Sequence, residues 1–77
     1  MKNWVVMIDE RKRHIEKIFV SDDAKDPRLA DIFNEWTHAF GHAWDIVMAR
    51  VEDMTTLKSK LPGYTGWDTA EIQGKTD

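Results

Sequence analysis

The run Trp4-Val5-Val6-Met7-Ile8 is apolar at every position. It is too short for a membrane span or the core of a secretion signal, and its β-branched residues favour a strand. Alternation along that strand points Trp4, Val6 and Ile8 to one side and Val5 and Met7 to the other. A strand greasy on both sides has to lie inside a sheet with cover on each face, so every other element is judged by whether it can supply that cover.

A second β-branched run, Ile15 to Val20, follows the charged stretch Asp9 to His14. The two runs make a hairpin pattern, although the connection holds no Asn-Gly or Asp-Gly. Further on, Asp26 and Pro27 mark a helix start. The carboxylate can accept a free N–H, and the proline ring has its φ already set for the first helical position. Gly41 suits a left-handed stop. Spacing residues about 100° apart gathers Leu29, Ile32, Phe33, Trp36, Ala39, Phe40 and Ala43 into one apolar arc. Asp31, Glu35, His38 and His42 fall opposite.

Residues 44–53 fit two patterns. As a helix they carry a stripe of Trp44, Val47, Met48 and Val51 running on to Met54, which would place an α-hairpin after the β-hairpin. As a strand they offer Ile46, Val47 and Val51. A lone two-stranded hairpin is marginal in water, and a third strand would make a sheet worth packing against, which favours the strand. Met54 to Leu61 then form a short helix ended by Leu61-Pro62-Gly63, and residues 68–77 read as a polar, frayed tail.

The expected fold is therefore a small α+β domain over residues 1–67. Its order is β-β-α-β with a short final helix, and its three-stranded antiparallel sheet, in spatial order 2-1-3, packs on one amphipathic helix. That helix covers one face only. For the other face the candidates are the segment carrying Leu57, Leu61, Tyr64 and Trp67, a second copy of the chain, or a different protein.

Length makes this question of cover acute, because a chain of 77 residues hides only about 60% of the surface its unfolded form exposes. No cysteine is present, which removes disulfides, thiolate zinc sites, iron–sulfur clusters and cysteine nucleophiles, and fits a reducing cytoplasm. Four tryptophans offer large apolar anchors instead. A formal charge of −3 is unlike the basic excess of polyanion binders.

The stretch Glu35-Trp-Thr-His38-Ala-Phe-Gly-His42-Ala-Trp-Asp45 spaces two histidines four apart, so both imidazoles could reach one ion with Glu35 as a third ligand. The arc is the polar side of the helix, Gly41 weakens the turn that would hold His42, and no companion ligand cluster exists. No metal or other cofactor is expected, and the arc is taken as a partner-facing surface. Arg11, Lys12 and Arg13 on the hairpin tip could touch phosphates, or could simply keep a strand edge from pairing. Asp22, Asp23 and Asp26 favour the positive end of the helix that follows. Phosphate-loop and nucleophile-elbow patterns are missing, and no enzymatic activity is expected.

In size, acidity and element order the chain resembles small phage- or mobile-element-encoded proteins that bind and disable a host enzyme, which implies an inhibitor or regulator. The function expected is a non-catalytic protein-binding module, with Trp4, Asp31, Glu35, His38, His42, Trp44 and Trp67 as contact residues and a homo-oligomer as a variant. The alternative is a small nucleic-acid-associated protein using Arg11, Lys12 and Arg13.

Overall fold

A computed structural model describes residues 1–39 and 44–74. The order is β1 (Lys2–Asp9), β2 (His14–Ser21), α1 (Pro27–Ala39), β3 (Trp44–Val51), α2 (Met54–Lys60) and β4 (Glu71–Gly74). The sheet runs β3-β1-β2-β4. Strand β1 lies inside it, as an apolar run on both faces requires. Its pairings with β2 and β3 are antiparallel, and β2 pairs with β4 in parallel. The order 2-1-3 is thus present, extended by a fourth strand that makes the sheet mixed.

The hairpin closes without Asn-Gly because Asp9 does the work of the turn. One of its carboxylate oxygens accepts the N–H groups of Arg11 and Lys12, at 3.1 and 3.3 Å. Arg13 then takes the left-handed conformation, φ 52°. Pairing shifts by a residue between Met7 and Ile8: Lys17 stands opposite Met7, whereas Ile15 stands opposite Ile8. This bulge leaves Glu16 as the extra residue, so Ile15 and Ile18, three apart, reach the same face.

Each face has its own core. On one side Val5, Met7 and Phe19 meet Leu29 and Trp36 of α1, with Ile32 and Ile46 alongside. The helix begins where Asp26 and Pro27 place it. Asp26 accepts the Arg28 N–H at 2.9 Å, holds its guanidinium at 2.6 Å and takes the Ser21 hydroxyl at 2.8 Å. On the other side Trp4, Val6, Ile8, Ile15, Ile18, Val20 and Val51 gather around Leu57 of α2. Leu61, Tyr64, Trp67 and Ala70 close over them. Of the three candidate covers for this second face, the chain's own C-terminal segment is the one found.

The tail requires a correction. Residues 68–77 read as frayed, yet Glu71–Gly74 form β4. Little in Glu-Ile-Gln-Gly marks a strand; the outer edge of β2 creates it by offering unpaired backbone groups to a returning chain. The return is tied down at Thr65, whose N–H donates to Arg13 O at 2.9 Å and whose carbonyl accepts the Ile15 N–H at 2.8 Å. Next to it Gly66, φ 87°, lies against the His14 ring so closely that any side chain would overlap the imidazole.

Two outcomes are expected. Leu57 has no exposed surface, and Leu57→Ala should cost about 2–5 kcal/mol in urea unfolding; a neutral result would mean the second face is not closed this way. Asp26 is held well below its ordinary value of 3.8, first by the Arg28 guanidinium, then by the Arg28 N–H and the Ser21 hydroxyl. A depressed folded-state pKa stabilises the fold above the unfolded value and is lost as pH falls through the folded one. The stability gap between the native chain and Asp26→Asn should therefore be complete above about pH 5 and close progressively in stronger acid. A gap that does not change with pH would remove the carboxylate from this role.

Candidate functional site

The expected contact residues do not form one surface. Asp31, Glu35 and His38 are exposed on the outer side of α1, as the helical spacing requires. His38 turns back on its own helix, with Nδ1 2.7 Å from the Asn34 carbonyl. His42 lies outside the described residues, as does the Trp44 side chain. Trp4 is corrected outright: its indole is 3% exposed and its Nε1–H donates to Val51 O at 3.1 Å, so it is a core residue. Trp67 is half-buried against the second-face core and gives that core most of its surface.

At the hairpin tip Arg11, Lys12 and Arg13 are all exposed, and Arg13 reaches across to another segment. Its guanidinium lies 5.2 Å from the Tyr64 ring centre and donates to the Tyr64 hydroxyl at 3.1 Å. Stacking of this kind holds the C-terminal segment onto the hairpin. Among the described residues no group of three His, Asp or Glu side chains is placed to hold a metal ion.

The structure brings together a different set. Strand β3 is a sheet edge, and α1, which reaches it through Ile46, leaves Met48 uncovered. Between the helix flank (Ala30, Phe33, Asn34) and the strand (Met48, Arg50) runs a groove of about 720 Å³. Met48 is 54% exposed there. The ionisable side chains along the groove are Lys25, Asp26 and Arg50, and Asp26 is already paired with Arg28. Walls of this composition suit an apolar guest with polar ends better than acid–base turnover.

Backbone geometry along the edge follows from the turn. Arg13 O and Ile15 N point away from β1, toward Thr65. Opposite pairs in an antiparallel ladder alternate between bonded and non-bonded. Carried through the register, this directs the N–H and C=O groups of Asp45, Val47, Ala49 and Val51 to β1, and those of Ile46, Met48 and Arg50 outward. The Ile46 N–H is indeed taken by the Asp45 carboxylate, at 2.8 Å. No described strand pairs with this side of β3.

Sequence reasoning missed Met48 and Arg50, and it treated Phe33 as core only. The signal was present: an order of 2-1-3 makes the third strand an edge, and one helix is narrower than three strands.

Comparison with protein-family models, with curated proteins and with solved structures finds no match to this chain.

Exposure of Met48 has a chemical readout. Limited treatment with peroxide should convert Met48 and Met1 to sulfoxides well before Met7, which is wholly buried. Peptide mass mapping would show it, and equal rates at positions 7 and 48 would contradict the groove.

Proposed function

We propose that this chain is a non-catalytic protein-binding module that receives an extended strand of polypeptide along β3, with apolar side chains of the guest entering the groove beside α1. The observation that carries this is the placement of Met48: more than half exposed, at the middle of a strand edge with which no described strand pairs, and at the mouth of an apolar groove. Main-chain bonds along an edge supply affinity, and the pockets beside it supply selectivity. A module of this kind acts by occupying its partner's surface, which suits an inhibitor or regulator. The phosphate-binding alternative has less behind it, since Arg13 is committed to Tyr64 and the chain is acidic.

The test is a photo-crosslinking residue placed at position 48 or, as control, at Lys58 on the exposed side of α2. Position 48 should yield one discrete polypeptide adduct. Added native chain should suppress it, and added Met48→Asp chain should not. Absence of an adduct at 48, or the same adducts from both positions, would rule out the edge as the binding surface.

A further inference from the structure

We infer that the strand received by β3 is β3 of a second copy, the two running antiparallel about a twofold axis through Met48, so that two four-stranded sheets join into one of eight strands. This rests on the protein-binding reading of the same edge and names its occupant.

The first support is the edge itself. β3 is eight residues long and pairs with β1 without a register shift, from Lys2 opposite Val51 to Asp9 opposite Trp44. Natural sheets blunt such edges with lysine, proline, bulges or shortness. β4, at the other side, is only four residues long. β3 contains no lysine or proline, and among its described side chains the polar ones are Asp45, whose carboxylate takes the Ile46 N–H, and Arg50 near its end.

The second support is self-complementarity. About an axis at Met48, the outward-bonding residues map onto one another: Met48 faces its own copy, and Ile46 faces Arg50. Each pair exchanges two ladder bonds, about six in all. Because the axis stands perpendicular to the sheet, the helix face continues as helix face. The side chains that each copy brings to the groove mouth of the other are Ile46 and Met48, both apolar.

The twofold axis sets the direction, and the distribution of charge along the strand agrees with it. β3 carries Asp45 near its start and Arg50 near its end. Antiparallel pairing brings the acidic end of one strand to the basic end of the other, whereas parallel pairing sets like beside like. On pairing, the Arg50 carbonyl of the second copy takes the Ile46 N–H in place of the Asp45 carboxylate, which is released to solvent on the other face of the sheet. Spacing agrees as well. The two β1 strands would lie three strand spacings apart, ~14 Å, whereas packed helices need ~8–10 Å between axes. The remaining few ångströms between the two α1 helices are room for the Met48 pair and the Phe33 rings.

The chain has no cysteine, so single-cysteine variants report cleanly. Met48→Cys should form a disulfide-linked dimer under mild oxidation, because bonded antiparallel pairs sit ~5.5 Å apart at Cα, inside disulfide range. Arg50→Cys should not link, since its counterpart lies across from Ile46, nor should Lys58→Cys. In sedimentation the native chain should show twice its formula mass, and Met48→Asp should show the single mass with an unchanged far-UV circular dichroism spectrum. A single-mass native chain, or linking at positions 50 and 58 as fast as at 48, overturns self-pairing. If position 48 then photo-crosslinks a different polypeptide, the binding edge stands and only its occupant changes; if it captures nothing, both conclusions fall together.

Discussion

Burial of β1 on both faces is the constraint from which the rest of the architecture follows. Val5 and Met7 need cover on one side, and Trp4, Val6 and Ile8 on the other. A buried aliphatic side chain contributes about 1.5–3 kcal/mol only while water is kept from it. A strand of this kind placed at an edge, or roofed on one face, would forfeit half of that. Flanking strands and two separate covers are therefore required, and α1 on one side and the α2-to-Ala70 segment on the other provide them. Arg13 on Tyr64 and the Thr65 bridge keep the second cover in place.

The two covers differ in completeness, and the proposed function lies in that difference. The second face is closed by a winding segment that reaches Val47 and Ala49 of β3. The first is closed by a single helix of 13 residues, ~10 Å across, set on a sheet whose four strands span ~14 Å between outer axes. Centred where it shields Val5, Met7 and Phe19, such a helix leaves Met48 beyond its flank. The groove is thus a consequence of roofing a wide sheet with one cylinder. Its apolar character comes from the strand alternation that also supplies Ile46 to the core.

Local features were legible in the chain. The hairpin, the Asp26-Pro27 helix start and the polar outer arc of α1 each depend on residues within a few positions of one another. Residues 44–53 fit both helix and strand, and only the need for a third strand favours the strand, which is found over Trp44–Val51. Trp36 is core, as its place in the apolar arc requires, whereas Trp4 is core for a long-range reason. Trp4 reads as a contact residue because no internal site for its indole is visible nearby in the chain, but its hydrogen-bond acceptor, Val51 O, lies 47 positions away. Trp67 likewise finds its place only when the C-terminal segment folds back. β4 left almost no trace in side-chain pattern, because its stability comes from the bonds β2 offers.

By itself the sequence determined that β1 is interior, that one amphipathic helix follows the hairpin, and that more apolar surface exists than this helix shelters. All three depend on periodicity and capping, which act over a turn or a few residues of strand. Only the tertiary structure decided what shelters the remainder, which indoles are core, and where apolar surface is left over. Those outcomes turn on the relative widths of helix and sheet and on contacts between distant segments, and no local pattern of residues encodes either.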